Sequence, residues 1–237
     1  MVCAAAGLLA GPVHANIVLL DEINRASAKT QPAMLEAMQE RQTSIAGAVY
    51  RLPEPFMVLA TQNPVEQEGT YVLPEAQMDR FLLKEVVDYP SPSEERSVLD
   101  RYDDGTLGLH VGEVSGVLSP GDIVDLQRMV ERVYVDPAVK DYIVRIVNAT
   151  RRVGAEISPE LGHYVELGAS PRGTIAFFQV ARALAFLDGR NHVVPEDVHA
   201  LRHGVLRHRI HLTFEAIADR VRPEQIIDAV FAGVPAP

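Results

Sequence analysis

The sequence is poor in cysteine, in basic residues and in long apolar segments. Cys3 is the single cysteine among 237 residues, which excludes an internal disulfide and a zinc site built on paired thiols. The 22 lysines and arginines face 32 acidic residues, a formal net charge of −10, and this balance disfavours binding to a nucleic-acid backbone. We therefore expect a protein of a reducing compartment, the cytoplasm, with no nucleic-acid partner.

Residues 1–10 (MVCAAAGLLA) are apolar, but they lack the features of an export signal. The first basic residue is Arg25, so no positively charged segment precedes the apolar one. A membrane-spanning helix needs about 20 apolar residues, and this segment is much shorter. We expect neither a signal peptide nor insertion into a membrane.

Hydrophobic residues make up 47% of the chain and charged residues 23%, which is typical of a folded globular protein. The apolar spacing of residues 30–41 predicts a helix, and residues 43–55 predict a small hairpin. Three apolar runs predict strands of a parallel sheet that are buried on both faces: residues 16–20, 56–61 and 81–87.

After Pro92 the strand-like runs stop, and helix starts take their place. The segment Ser119-Pro120-Gly121-Asp122 has the pattern of a capping box at the start of a helix. Helices are predicted over residues 123–133, from 137 onwards, over 171–187 and over 195–205. The sequence thus predicts two domains: an α/β core over residues 1–92, then a linker helix and an all-helical domain over residues 93–237.

Two acids and an amide stand at the ends of the first two predicted strands. Asp21 and Glu22 come directly after the first strand, and Asn63 comes shortly after the second. Ligands of open parallel sheets bind beyond the carboxyl ends of the strands. An acid there can hold magnesium, its neighbour can orient an attacking water, and an amide can hydrogen-bond that water and a phosphate oxygen. The acid pair alone also fits a strand that runs into a solvated turn.

Several segments, in this order, resemble motifs of the MoxR family of AAA+ ATPases. They are residues 21–26 (DEINRA), 35–40 (LEAMQE), 60–64 (ATQNP), 66–71 (EQEGTY) and 73–81 (LPEAQMDRF). Residues 168–173 (GASPRG) further resemble the lid signature of that family. The resemblance implies an ATPase core that is followed by a helical lid, with ATP and magnesium as cofactors.

The resemblance also implies roles for single residues. Asp21 corresponds to the Walker B acid that holds Mg²⁺ through water, Glu22 to the acid that polarises the attacking water, and Asn63 to sensor 1. Arg80 resembles the arginine finger, which reaches the γ-phosphate of a neighbouring subunit, and Arg172 resembles sensor 2 of the lid. Arg25 and Arg51 remain alternatives for the arginine that acts in trans.

The phosphate-binding motif G-x-x-x-x-G-K-[ST] of P-loop ATPases is absent from the sequence. None of the three lysines follows a glycine, and Lys29 is expected to be an ordinary residue of the helix after the acidic strand end. In the AAA+ sheet order 5-1-4-3-2, which the resemblance implies, the three predicted strands correspond to strands 3, 4 and 5. We therefore expect a partial AAA+ core in an N-terminally truncated form of a longer ATPase.

Two functions compete at this point. The first is a MoxR-type ATPase that remodels or matures partner proteins as a homo-oligomeric ring, a hexamer, with a von Willebrand-type domain protein as a possible companion. The second is a non-catalytic remnant or interaction module that does not bind ATP. Because the phosphate-binding loop is missing, we expect the isolated chain to be inactive.

Two basic features are open to more than one interpretation. Arg172 lies in the first turn of a predicted helix, where a cation is disfavoured unless it shares the position with an anion such as phosphate; it could also be an ordinary exposed arginine. Residues 202–211 (RHGVLRHRIH) are locally basic. They fit a charged helix end, or a contact with a partner or with the nucleotide of a neighbouring subunit.

Overall fold

The computed structural model describes residues 13–25, 30–45, 47–63, 73–107 and 115–237. The N-terminal part has the order β1 (Ile17–Leu20), a 3₁₀ helix (Ile23–Arg25), α1 (Thr30–Glu40), β2 (Gln42–Ile45), β3 (Ala48–Arg51) and β4 (Met57–Ala60). The predicted helix is confirmed, and so is the hairpin, since β2 and β3 pair antiparallel. Residues 1–10, Lys29 and the segment 66–71 lie outside the described residues.

Strands β1 and β4 pair in parallel, with Ile17 opposite Met57 and Leu20 opposite Ala60. Helix α1 packs against one face of this pair, where Val18 shares a small buried core with Met34 and Ala37 of the helix. A strand, helix, strand unit thus brings the carboxyl ends of β1 and β4 to the same edge. The predicted parallel sheet is confirmed for these two strands.

The opposite face of the β1–β4 pair is exposed, so the prediction that the strands are buried on both faces is wrong. Ile17 and Leu19 are 62% and 64% exposed, and Met57 and Leu59 are each 48% exposed. The residues alternate along each strand, and among the described residues a helix covers one face only. The apolar runs gave no sign of this because both faces carry hydrophobic side chains.

Residues 81–87, the third predicted strand, form no strand, and this prediction is also wrong. In the sheet order that the resemblance implies, their neighbour is the strand of the absent phosphate-binding motif, and an extended segment needs a partner for its backbone groups. Its backbone pairs with the C-terminal region instead. Lys84 N donates to Gly204 O (2.9 Å), and Arg207 Nη1 donates to Lys84 O (2.8 Å).

The rest of the chain is mainly helical. Its elements are α2 (Glu75–Met78), α3 (Pro92–Asp103), α4 (Pro120–Glu131), α5 (Pro137–Ala149), α6 (Val153–Glu156), α7 (Pro159–Gly162), β5 (Val165–Leu167), α8 (Pro171–Leu187), α9 (Pro195–Ala200), α10 (Arg202–Leu206), β6 (His211–Leu212), α11 (Phe214–Ala218) and α12 (Pro223–Gly233). Residues 120–233 are called the lid below. Within the described residues, no helix is long and apolar enough to cross a membrane.

The helix starts of the lid follow the predicted caps. Ser119 N donates to Asp122 Oδ2 (2.7 Å), and Asp122 N donates to Ser119 Oγ (3.2 Å), which is the reciprocal bonding of a capping box. Helix α8 ends at Leu187, as predicted. The helix predicted over residues 195–205 is divided into α9 and α10 at Leu201.

The lid has its own hydrophobic core, in which Ile146, Phe177, Val198 and Ile226 are fully buried. It is not all-helical, because β5 and β6 pair antiparallel beside the helices. That part of the prediction is wrong. The two strands have three residues and two residues, too few for an alternating pattern to be recognised in the sequence.

Candidate active site

The carboxyl ends of β1 and β4 form one edge of the parallel pair. Because Leu20 is opposite Ala60, Asp21 and Thr61 are the first residues beyond the two strands. The Thr61 hydroxyl donates to Asp21 Oδ1 (2.6 Å), and Thr61 N donates to Leu20 O (2.9 Å). Asn63 follows two residues after Thr61, so the two segments that carry the predicted acids and amide leave the sheet side by side.

Thr61 also holds the backbone of Glu22. Glu22 N donates to Thr61 Oγ1 (2.9 Å), and Ile23 N donates to Thr61 O (3.0 Å). Glu22 has a φ of 49°, a left-handed conformation that costs a residue other than glycine roughly 1–2 kcal/mol. Such a conformation persists where neighbouring contacts enforce it, which is common at functional sites. The Glu22 carboxylate is paired with Arg25, with Oε2 at 3.1 Å from Nε.

We expect Thr61→Val to lower the free energy of unfolding by about 1 kcal/mol, because valine keeps the shape of the side chain and removes the hydroxyl that serves two hydrogen bonds. Thr61→Ser retains that hydroxyl and is the matched control, expected to remain within a few tenths of a kcal/mol of the unchanged chain. Urea unfolding of the three proteins measures the difference. A loss of stability in Thr61→Ser with none in Thr61→Val would show that the methyl group, and not the hydroxyl, holds this edge.

On the lid side, Asp79 lies against the first turn of α8. Ser170, the N-cap of that helix, donates its hydroxyl to Asp79 Oδ2 (2.6 Å) and accepts from Arg172 N (3.0 Å). Arg172 Nε lies 3.9 Å from the same carboxylate oxygen, and the Arg172 side chain is 44% exposed. An anion does therefore accompany the cation at this helix start, as the dipole argument requires, and in this structure it is a carboxylate.

The arginines considered for a role in trans occupy three different places. Arg80 follows Asp79 directly and is half-buried, and its Nε has no hydrogen-bond partner among the described residues. Arg25 lies beside Glu22 at the sheet edge. Arg51 is the exposed last residue of β3. The structure thus groups Arg80 and Arg172 around Asp79, and it places Arg25 next to the candidate acids.

Three residues at these positions were not singled out from the sequence: Thr61, Asp79 and Arg209. Thr61 could have been found from the parallel register, because it follows β4 as Asp21 follows β1. Asp79 belongs to a segment that the family resemblance includes, but its contact with Ser170 spans 91 residues of chain. Arg209 is buried just after α10, and its Nε donates to Asp79 Oδ1 (2.9 Å). It belongs to the basic segment 202–211, and no neighbouring residue in the sequence indicates its burial.

The sheet edge fits the magnesium part of a nucleotide site. Asp21 is exposed, and Thr61 engages one of its oxygens, so lone pairs remain for a metal ion or its water ligands. Glu22 and Asn63 supply a carboxylate and an amide on the same two segments. Binding of the phosphates additionally requires a glycine-rich loop of backbone amides that is followed directly by a lysine. The sequence does not contain this motif. The residues present therefore fit the ion and an attacking water, but not the grip on the triphosphate.

Comparison with known proteins identifies the class. Residues 5–83 match the family described as ATPase family associated with various cellular activities (AAA), and residues 162–230 match the AAA lid domain. A crystal structure from Cytophaga hutchinsonii ATCC 33406, assigned as an ATPase, has a TM-score of 0.88 and 39% identity over 96% of this chain and 68% of that chain. The fold is that of an AAA+ ATPase with its lid domain.

The relatives define the family more narrowly. Chaperone MoxR1 of Mycobacterium tuberculosis (strain ATCC 25618 / H37Rv) is 47% identical over 96% of this chain and 59% of its own length. YeaC of Bacillus subtilis (strain 168) is 43% identical over 96% of this chain and 67% of its own. Protein MoxR of Paracoccus denitrificans is 34% identical over 93% and 67%. The chain belongs to the MoxR family of AAA+ ATPases, as its motifs indicated, and spans 59–67% of the length of these relatives.

Proposed function

We propose that this chain takes part in ATP hydrolysis that drives chaperone-like remodelling or maturation of partner proteins. The observation that supports this most directly is the parallel pairing of β1 with β4, through which Thr61 holds Asp21 and the backbone of Glu22 at one edge. Asn63 follows on the same segment as Thr61. An acid pair and an amide on adjacent strand ends are what an ATPase needs to place a metal ion and an attacking water.

Each residue has a chemical role in this proposal. Asp21 would hold the Mg²⁺ of Mg–ATP through water, and the ion would offset charge on the phosphates. Glu22 would orient and polarise the attacking water, and Asn63 would hydrogen-bond that water and a phosphate oxygen. Arg80 would reach the γ-phosphate held by a neighbouring subunit. Arg172 would contact the nucleotide of its own subunit and respond through the lid.

The grip on the phosphates is proposed to come from a segment outside these 237 residues, so that this chain is an N-terminally truncated form. The sequence has no glycine-rich phosphate loop, and MoxR1 extends well beyond the region it shares with this chain. The exposed apolar face of the β1–β4 pair offers a surface on which a further helix could pack. By itself, the chain is proposed to bind nucleotide very weakly and to turn over negligibly.

The wider organisation follows from family membership. We propose a homo-oligomeric ring, a hexamer, in the cytoplasm, with nucleotide at the subunit boundaries. Residues 1–92 would form the core and residues 93–237 the linker helix and lid. Client proteins, and a protein with a von Willebrand-type domain, are the proposed partners. The absent phosphate loop favours a second candidate function, a non-catalytic remnant or interaction module that keeps the lid and does not bind ATP.

The test is a chimaera in which the part of YeaC that lies outside the shared region is joined to this chain in the order that YeaC has it. We expect the chimaera to bind and hydrolyse ATP, whereas the unmodified chain does neither to a useful extent. Glu22→Gln should lower kcat by about 100-fold without weakening nucleotide binding, because the amide keeps the shape of the side chain and loses its basic carboxylate. Glu54→Gln, at an exposed position before β4, is the matched control.

Two kinds of result would count against this proposal. A folded chimaera that binds ATP without hydrolysing it would count against the hydrolysis assigned to this chain, and a folded chimaera that binds no ATP would support the interaction module. Hydrolysis that Glu22→Gln leaves unchanged would remove Glu22 from the proposed mechanism. Binding is measured by titration with a fluorescent ATP analogue and hydrolysis by phosphate release, so the two outcomes are read independently.

A further inference from the structure

Arg209 is a buried arginine whose guanidinium is directed at the segment that carries Arg80. Its side chain is 1% exposed. It lies just after α10 and passes α8 at Gly173, where a Cβ atom would stand 3.4 Å from Arg209 Cδ. A buried guanidinium requires acceptors for all of its N–H groups, so the position of Arg209 depends on where those acceptors are.

All five N–H groups of Arg209 have an acceptor, and four of the five acceptors belong to residues 79–82. Nε donates to Asp79 Oδ1 (2.9 Å), and Nη2 donates to Asp79 O (3.2 Å) and Phe81 O (2.7 Å). Nη1 donates to Leu82 O (3.2 Å) and to Val205 O of α10. Arg209 therefore holds the carbonyl groups on both sides of Arg80.

We infer that Arg209 is a positioning residue for Arg80: it fixes the backbone around Arg80 to the lid, so that Arg80 moves with α8 and Arg172. This inference rests on the proposed role of Arg80 as the residue that acts on a neighbouring subunit. Asp79 completes the link, because its carboxylate is shared by Arg209, by the N-cap Ser170 and, at 3.9 Å, by Arg172.

The residues that follow Arg80 in the sequence are also bound to the lid. His208 Nε2 donates to Phe81 O (3.0 Å), and Lys84 N donates to Gly204 O (2.9 Å). Arg207 donates to Lys84 O (2.8 Å) and also pairs with Glu224 of α12. Lid residues therefore hold the segment along its length, and residues 204–209 of the basic run provide these contacts.

Trypsin cleavage of the 237-residue chain after Arg80 tests the link without nucleotide. We expect Arg209→Lys to raise the rate of cleavage at Arg80–Phe81 by about ten-fold, because lysine keeps the charge but cannot hold carbonyl groups on both sides of Arg80. Cleavage after the exposed Arg128 of α4 is the internal reference. Arg202→Lys, in α10, whose arginine pairs with Asp228 of α12, is the matched control and should change neither rate.

A second variant and a spectroscopic measurement keep the test decisive if Arg209→Lys folds poorly. Asp79→Asn leaves the backbone bonds of Arg209 in place and weakens the shared carboxylate contact, so we expect a smaller rise in cleavage at Arg80–Phe81. In both variants the ¹⁵Nε–H signal of Arg80 should shift and sharpen, as its side chain becomes more mobile. An unchanged signal and unchanged cleavage in folded variants would overturn the inference.

The chimaera with the YeaC segment separates this inference from the proposed function. If Arg80 acts on a neighbouring subunit, Arg209→Lys should lower kcat towards the value of Arg80→Ala. The KM for ATP should stay unchanged, since the ATP on which Arg80 acts is bound by that neighbouring subunit. A chimaera without any hydrolysis would count against the proposed function. The cleavage and NMR results would still test whether Arg209 fixes the backbone around Arg80 to the lid. A rise in KM at constant kcat would contradict the positioning role.

Discussion

As the pH falls from 7 to about 4, protonation of His208 is expected to remove about 3 kcal/mol from the free energy of unfolding. Burial and, to a smaller extent, the positive charge of Arg209 lower the pKa of His208 from 6.5 to about 4 in the folded chain. The unfolded chain therefore binds the proton first. The stabilisation is complete above pH 6.5 and is lost as the pH falls towards 4, and each pKa unit is worth about 1.4 kcal/mol.

The geometry around His208 explains the direction of this effect. A carbonyl oxygen only accepts, so Nε2 carries the hydrogen that is donated to Phe81 O. Nδ1 is buried and has no partner among the described residues, and a proton placed there would have no acceptor. Lys84 also opposes protonation, and Asp79 favours it to a smaller extent. The imidazole is thus held neutral at the same junction that Arg209 occupies.

Urea unfolding at a series of pH values, compared between the unchanged chain and His208→Gln, measures this contribution. Glutamine can still donate to Phe81 O and does not titrate, so carboxylate titrations common to both chains cancel in the difference. His192→Gln removes an exposed imidazole and serves as the control for losing a histidine. Parallel pH profiles for the unchanged chain and His208→Gln would show that His208 does not contribute.

Much of the fold could be predicted because it is encoded locally. The capping box at Ser119, the hairpin after α1 and the helical spacing of residues 30–40 each depend on residues within one or two turns of chain. The strands β1 and β4 were found for the same reason. Their pairing followed from the general preference for a strand, helix, strand unit to form a parallel pair.

The errors lie where an answer depends on distant residues. An apolar run such as residues 81–87 predicts a strand only if another strand lies beside it, and here lid residues take that place. Arg209 is an exposed charge by every local rule, and it is buried because acceptors 127 to 130 residues away satisfy it. Asp21, Glu22 and Asn63 could be identified from their positions after the predicted strands. The role of the Thr61 hydroxyl, which bonds to the Asp21 side chain and the Glu22 backbone, depends on the register in which β1 and β4 pair.

The lid core is expected to depend strongly on Phe177, and Phe177→Ala should lower the free energy of unfolding by about 3–5 kcal/mol. Phe177 is fully buried, and its ring centroid lies 6.2 Å from that of Phe231 in α12. Removing the ring leaves a cavity between helices α8 and α12, which are held in place by the elements around them and cannot close it completely. Because Arg209 and Ser170 are carried by this core, the hold on Arg80 should weaken along with it.

The neighbouring Phe178→Ala is the matched control, since it removes the same ring from the same helix. Phe178 is partly buried at the edge of the core, beneath Arg182 at 4.2 Å and Lys140 at 6.0 Å from the ring centroid. Its loss should cost about 1–2 kcal/mol, from a small buried area and weak cation–π contacts. Urea unfolding monitored by circular dichroism gives both values. Similar costs for the two variants would mean that the lid can repack around Phe177, and the lid would then be too adaptable to hold Arg80 in one place.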